Sequence, residues 1–196
     1  MATFQDDVYV IGYGRFNPPT KGHQFAIFNK IGPLAKKLNG KGVILTTRTH
    51  NKQKNPLTVN QKKKYILESV HNYFVLEDEW IESNKQFCVS DVRDIFVALS
   101  EIKKAKHVVI LLGEDEMKAL KPRIELYNHD QYEIEKLEFV HAGSRSDNSE
   151  IGSISATKMR EAAKNDDFET FEAMCPTLMD EAVKKEMFED VKQGMK

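Results

Sequence analysis

The chain has 196 residues, with 29 lysines and arginines against 30 acidic residues and a formal net charge of −1. This length suits one domain and excludes two separate catalytic domains, since domains usually run to roughly 100 to 200 residues. Because the charges balance, no overall field would recruit nucleic acid or an anionic membrane, and we expect neither as a partner.

Cysteine usage and the N-terminal segment indicate the compartment. Cys88 and Cys175 have no CxxC spacing, which argues against a zinc site and against a disulfide scaffold. The segment MATFQDDVYVIGYGR has acids where a signal peptide would have positive charge, and its apolar run is too short for a membrane span. We therefore expect a soluble, unprocessed protein of the cytoplasm.

Apolar periodicity predicts strands that alternate with helices along most of the chain. The predicted elements are, in order, a strand at 7–13, a helix at 23–38, a strand at 42–47, a helix from near Thr58, a strand at 86–89, a helix at 91–105, a strand at 107–112, a helix at 114–128 and a strand at 137–143. This alternation implies right-handed βαβ units and a parallel sheet covered on both faces. The fold class is therefore predicted as α/β, with a doubly wound, Rossmann-like parallel sheet of about five strands.

Three local features refine these elements. Thr58 and Gln61 have capping-box spacing at the start of the second helix. Ser90 is expected to cap the helix at 91–105. Pro122 should kink or divide the helix at 114–128.

The C-terminal part of the chain is predicted to be helical and acidic. From Glu161 to Lys196 there are ten acidic residues and five lysines, and Pro176 separates two helical stretches. One interpretation is a solvated helical cap on the sheet, and the other is an arm that binds a partner. We expect a principal domain at 1–165 and an acidic helical extension at 166–196 packed on it.

A phosphate-binding loop is indicated directly after the first predicted strand, where the chain reads GRFNPPTKGH from Gly14 to His23. Glycine lets backbone approach a ligand, and the free amides at a helix start favour an anion. Thr20, Lys21 and His23 add side chains that can donate hydrogen bonds to phosphoryl oxygens. The alternative is a tight turn followed by a surface histidine.

The same string resembles GxFxPx[H/T]xGH, the first signature of the HIGH-motif nucleotidyltransferase superfamily. The opening GRF, with Arg15, is similar to archaeal-type nicotinamide mononucleotide adenylyltransferases. A GxGxxG dinucleotide motif and a Walker GK[ST] motif are both absent. The matching residues are Gly14, Phe16, Pro18, Thr20, Gly22 and His23.

A second motif, GSISATKMREAA, follows the last predicted strand and begins at Gly152. Ser155 and Thr157 lie where a helix should begin, and Arg160 follows one turn later, so hydroxyls and a guanidinium can converge on one phosphate. The string resembles ISSTxxR, the second signature of the same superfamily, with Ala156 in place of the second serine. An ordinary helix start is the alternative reading of the motif taken alone.

Two weaker patterns lie between the motifs. Gly113 and Asp115, in LLGEDEM, resemble the family's GxD near the nucleotide, although an acid-rich helix start would look the same. Arg48 and Lys54 lie in the basic loop after the second strand, where the family often places groups that meet the acceptor phosphate. A solvated basic loop is the equal alternative.

The segment from Leu111 to Ala163 looks most like small cytidylyltransferase-like proteins of tailed bacteriophages, which would place the protein in the host cytoplasm. The resemblance covers about residues 7 to 165 and leaves the acidic tail outside it. It implies transfer of a nucleoside monophosphate from a nucleoside triphosphate to a small phosphate-bearing acceptor, with release of pyrophosphate. ATP is favoured over CTP because ISATKMR and GRF are closer to adenylyltransferases, and nicotinamide mononucleotide is the first candidate acceptor.

The resemblance also implies roles for the residues of both motifs. His23 and Thr20 would stabilise the α phosphoryl group, and Arg160 with Ser155 and Thr157 would hold the departing pyrophosphate. Mg²⁺ would be carried by the triphosphate, because it keeps most of its waters. The alternative is a non-catalytic nucleotide-binding or assembly protein with the same fold, and a homo-oligomer is possible in either case. The predicted nucleotide-binding residues are Gly14, Arg15, Phe16, Gly22, Gly113, Asp115, Ser155 and Thr157.

Overall fold

The computed structural model describes residues 4–71, 73–103, 105–143 and 154–196. Within these ranges the chain forms a six-stranded sheet in which every pair of neighbouring strands is parallel. The strands are β1 Val8–Gly14, β2 Lys41–Thr47, β3 Val75–Leu76, β4 Phe87–Val92, β5 His107–Leu112 and β6 Lys136–His141, in the order β3-β4-β2-β1-β5-β6. This confirms the Rossmann-like prediction, with a short edge strand, β3, added to the five predicted.

Helices cover both faces of the sheet. They are α1 Lys21–Ala26, a π-helical turn at Ile27–Ile31, α2 Gly32–Lys37, α3 Val59–Val70, α4 Ile95–Glu101, α5 Glu114–Tyr127, α6 Ala156–Lys164, α7 Phe168–Met174 and α8 Glu181–Gly194. Side chains alternate across a strand. Tyr9 and Ile11 of β1 therefore enter one apolar core with α4 and α5, whereas Val10 enters a second core with the π-helical turn, α2 and α3.

The local expectations had mixed outcomes. The capping box at Thr58 and Gln61 is present at the start of α3. Ser90 does not cap a helix, because β4 continues through it while paired with β2, and its buried hydroxyl donates to the Asp78 carbonyl. The cap of α4 is Asp94, whose carboxylate accepts from the amide of Val97 at 3.0 Å.

Pro122 does not divide its helix, since α5 runs unbroken from Glu114 to Tyr127. A proline removes one backbone donor, and the helical bonds on either side of it sustain the element. The predicted helix at 23–38 begins earlier, at Lys21, and contains the π-helical turn that its apolar spacing did not reveal.

The C-terminal helices build a third apolar core beside α3. Phe171 of α7 and Phe188 of α8 pack in one core with Met159 of α6. Leu57, just before α3, and Tyr65 of α3 belong to the same core. Two hydrogen bonds also join acidic residues of α8 to α3. Glu186 accepts from Lys64 and Asp190 accepts from Tyr65, each at 2.5 Å. The division at residue 165 stays a prediction. No helix in the described ranges is long and apolar enough to cross a membrane.

Candidate active site

A cleft of about 440 Å³ lies beyond the carboxyl ends of β1 and β5. The chain passes from β1 to β2 on one side and returns to β5 on the other, so this is the switch point where α/β sheets bind ligands. We call residues 14–23 the first wall and residues 154–160 the second wall. Residues 144–153, which include the start of the second motif, lie outside the described residues.

The cleft gathers most of the residues that the sequence predicted for a site. Those that line it are Gly14, Arg15, Phe16, Thr20, Gly22, His23, Lys54, Gly113, Ser155, Thr157 and Arg160. Arg48 and Asp115 are not among the lining residues. Two motifs separated by more than a hundred residues of chain therefore face the same space.

The first wall is shaped by a short loop and a helix cap. Phe16 adopts φ 46°, a left-handed conformation that is uncommon for a bulky residue, and its buried ring lies 4.8 Å from the ring of His23 between centroids. Thr20 caps α1 by accepting from the amide of His23 at 3.3 Å. The orientation of the His23 ring is thus fixed by contacts within a few residues of sequence.

The protonation state of His23 follows from these contacts. The amide of Thr20 lies 3.0 Å from Nδ1 of His23, and an amide can only donate, so Nδ1 carries no proton. Burial lowers the pKa of His23 to about 4, which keeps the imidazole neutral near pH 7. Its single proton therefore lies on Nε2, and the ring is a neutral hydrogen-bond donor.

The second wall begins at the cap of α6. Ser155 accepts from the amide of Lys158 at 3.2 Å. Arg160 donates from Nη1 to the carbonyl of Asn17 at 2.7 Å and from Nη2 to the hydroxyl of Thr157 at 3.1 Å. Desolvation, and then the positive charge of Arg15, lower the pKa of Arg160. Two guanidinium groups near each other in one cleft create a local positive potential suited to an anion.

Asn17 joins the two walls and was not singled out from the sequence. Its side chain is buried, accepts from the amide of Leu57 at 2.9 Å and donates to the carbonyl of Leu57 at 3.2 Å. Its own carbonyl receives Arg160. The motif string gives only its position between Phe16 and Pro18, since its partners lie far away along the chain.

The structure corrects the placement of two predicted residues. Arg48 pairs with Asp91, and Lys63 pairs with the same carboxylate at 3.0 Å, which holds Arg48 in an ion-pair group beyond β2 and β4 rather than in the cleft. Asp115 lies in the first turn of α5, where the next residue, Glu116, faces the cleft instead. One position along a helix turns a side chain by about 100°, which follows from 3.6 residues per turn.

The acidic groups of the cleft bear on Mg²⁺. Within the described residues, no cluster of three or more histidine, cysteine, aspartate or glutamate side chains could hold a metal ion. Glu116 does line the cleft. Mg²⁺ usually binds through one or two carboxylates together with substrate phosphates and water, so the residues present fit an ion carried by a triphosphate.

Comparisons with known proteins bear on the fold. No family model matches the chain, and no curated protein sequence matches it. Among solved structures it is similar to nicotinic acid mononucleotide adenylyltransferase of Plasmodium falciparum complexed with NaAD. The similarity covers 93% of this chain and 98% of that chain, with a TM-score of 0.61 and 13% sequence identity. At this identity the likeness shows the shared α/β fold.

Proposed function

We propose that the protein is a nucleotidyltransferase, which transfers a nucleoside monophosphate from a nucleoside triphosphate to a phosphate-bearing acceptor and releases pyrophosphate. The observation that carries the proposal is the bond from Arg160 to the Asn17 carbonyl, which joins the two motifs across one cleft. The fold shared with an adenylyltransferase supports the same class of reaction.

The first wall suits the α phosphoryl group. The amides at the start of α1 favour an anion, and His23 offers its Nε2 proton without a positive charge of its own. A neutral donor stabilises charge that develops on the α phosphoryl oxygens as the acceptor attacks. Thr20 acts through the cap that orients the imidazole. The attacking phosphate is already anionic, so positioning and charge neutralisation suffice.

The second wall suits the leaving pyrophosphate. A guanidinium has five hydrogen-bond donors, and Arg160 uses two of them in its bonds to Asn17 and Thr157. Its remaining donors, the free amides at the start of α6 and the nearby Arg15 can meet β and γ phosphate oxygens. Mg²⁺ bound to the triphosphate would add further charge neutralisation, with Glu116 as the cleft carboxylate within reach of such an ion.

The acceptor is proposed to be a pyridine mononucleotide, with nicotinamide mononucleotide as the first candidate and ATP as the favoured donor over CTP. The support is the GRF opening of the first motif and the substrate named for the Plasmodium enzyme. Lys54 is an exposed cation at the cleft, outside both walls, that could receive the acceptor phosphate. Arg48 is not retained for this role, because Asp91 holds it outside the cleft.

Pyrophosphate release tests the proposal directly. Each of ATP, CTP, GTP and UTP is incubated with Mg²⁺ and a panel of acceptors that includes nicotinamide mononucleotide, nicotinic acid mononucleotide and other phosphate monoesters. We expect release that requires one nucleotide and one acceptor together. Tight nucleotide binding with no release across the panel would instead favour a non-catalytic nucleotide-binding protein.

A further inference from the structure

The loop between β2 and α3, residues 48–58, brings Lys54 to the cleft. Its tip is a closed turn in which the amides and carbonyls of Asn51 and Asn55 bond each other, at 2.9 and 3.2 Å. The side chain of Asn51 also accepts from the amide of Lys54 at 2.8 Å. These bonds tie the residues of the tip to one another, so the position of Lys54 depends on the contacts between the loop and the rest of the protein.

The base of the loop is held between the first wall and the end of α8. On one side, Asn17 bonds both backbone groups of Leu57. On the other, Gly194 approaches Pro56 so closely that a Cβ on Gly194 would lie 2.1 Å from the Pro56 carbonyl oxygen. At the tip of the loop, Lys52 adds a bond at 2.8 Å to the main-chain oxygen of Lys196. The end of α8 is therefore in direct contact with the loop that carries Lys54.

The helix that supports the loop is itself firmly placed. Tyr65 of α3 donates to Asp190 of α8 at 2.5 Å, and Phe188 of α8 lies in the third apolar core. That core also contains Leu57, the loop residue that Asn17 binds. Because packed interiors resist small displacements, α8 acts as a fixed reference for the loop.

We infer that α8 positions Lys54 for binding the acceptor phosphate, with Gly194 as the positioning residue at the contact. The inference rests on the proposed function. It adds Gly194, a residue outside the cleft, to the residues that determine how tightly the acceptor binds. In this inference the acidic C-terminal segment positions a loop of its own chain. The alternative interpretation, drawn from its charge, was an arm that binds a partner. A methyl group at 194 would push the base of the loop away from α8 and displace Lys54.

The test compares Gly194→Ala with a matched glycine at the other end of the sheet. A Cβ on Gly40 would lie 2.7 Å from the Val8 carbonyl oxygen, so Gly40→Ala also forces a methyl against backbone, but beside the amino ends of β1 and β2. Hydrogen exchange of the amides of residues 51–55 and of Leu57 is measured in both variants. We expect faster exchange in Gly194→Ala and wild-type exchange there in Gly40→Ala. Unchanged exchange in Gly194→Ala would overturn the inference.

The second readout is a double-mutant cycle with Lys54→Ala, with nicotinamide mononucleotide as the acceptor probe. Gly194→Ala should raise the acceptor KM about tenfold, as expected for loss of one charge-assisted contact, and leave kcat within about threefold. In the Lys54→Ala background the same substitution should change KM by a factor of about one, because coupled residues are not additive. Equal factors in the two backgrounds would show a general loss of structure and refute the positioning role.

Tyr65→Phe provides a second variant should Gly194→Ala fail to fold. It removes the bond to Asp190 and keeps the packed ring, so the acceptor KM should rise by a smaller factor that again requires Lys54. A rise that persists in Lys54→Ala would overturn the inference. Failure of the proposed function gives a different result: the unsubstituted protein releases no pyrophosphate, while loop exchange still responds to Gly194→Ala.

Discussion

The two walls of the cleft differ in the range of the contacts that orient their main functional side chains, His23 and Arg160. In the first wall, Thr20 and His23 bond each other across three residues and set the protonation of the imidazole locally. In the second wall, Arg160 is placed by a bond to Asn17, 143 residues away, and by the apolar core that α6 shares with α8. The chemical state of the first wall is therefore local, whereas the geometry of the second wall depends on tertiary structure.

The largest expected effect comes from the first wall. His23→Ala should lower turnover by about two to four orders of magnitude and leave nucleotide affinity nearly unchanged, because its hydrogen bond strengthens as charge develops on the α phosphoryl group. Steady-state turnover and nucleotide titration measure the two quantities. Unchanged turnover would remove His23 from the chemistry.

A matched control for His23 exists within the chain. Gln61 completes the capping box of α3 with Thr58 as His23 does with Thr20 in α1. His23→Gln should therefore keep the cap and the fold, yet lose turnover almost as severely as His23→Ala. Full recovery of turnover in His23→Gln would mean that the histidine serves only as a cap.

In the second wall, Arg160→Ala should weaken triphosphate binding by about ten- to a hundredfold, and monophosphate binding much less. The substitution would remove charge-assisted hydrogen bonds to the β and γ phosphates, which a monophosphate lacks. Each such bond is worth roughly 1.5 to 3 kcal/mol. Calorimetry with ATP, ADP and AMP, and with the cytidine series, measures the difference.

Arg123→Ala is the control for that titration, since Arg123 lies on α5 over the ring of Phe96 and does not line the cleft. It removes the same charge and should leave all these affinities unchanged. An equal loss for mono- and triphosphate in Arg160→Ala would mean that Arg160 only holds α6 against the Asn17 carbonyl, and the second wall would no longer qualify as a pyrophosphate site.

Asn17→Ala disturbs the junction between the walls. It leaves the buried amide and carbonyl of Leu57 without their side-chain partner, so we expect a loss of about 1 to 3 kcal/mol in the free energy of unfolding. Asn128 bonds the amide and carbonyl of Ile134 in the same way, outside the cleft, and Asn128→Ala should cost a similar amount. Denaturant unfolding compares the two. Only Asn17→Ala should also weaken triphosphate binding, and equal binding in both variants would separate Asn17 from the site.

A further expected effect is on the pH dependence of stability. The folded protein holds the pKa of His23 at about 4, below the ordinary value of 6.5, so the unfolded chain binds the proton first. Wild type should therefore lose stability relative to His23→Gln as the pH falls from about 6.5 to 4, and no further difference should develop below that range. If the free energy of unfolding of wild type and of His23→Gln changed with pH in the same way between about pH 6.5 and 4, His23 would have an ordinary pKa in the folded protein.

The sequence predicted the local features best. The sheet follows from short β-branched runs such as HVVILL, and the capping box at Thr58 from residues three apart. It also anticipated that most residues of both motifs would face one cleft. Ser90 was misjudged because a serine before a helix resembles a cap, whereas pairing with β2 extends the strand through it.

The features that the sequence missed depend on distant partners. Arg48 was predicted to bind a phosphate because its partner Asp91, 43 residues further along the chain, cannot be identified from the sequence. Asn17 and Gly194 carry no local pattern, since one matters for its bonds to Leu57 and the other for its close approach to Pro56. Such contacts arise only when the order of the strands and the packing of the C-terminal helices are known.

The transfer of a labelled phosphate tests the central claim most directly. The protein is incubated with nicotinamide mononucleotide, Mg²⁺ and ATP carrying ³²P at either the α or the γ position, and the products are separated. The account predicts that the α label moves into a dinucleotide product and the γ label into pyrophosphate, with both transfers lost in His23→Gln. Movement of the γ label to the acceptor would contradict the account. It would also be contradicted if no acceptor of the panel received either label in the presence of any nucleotide.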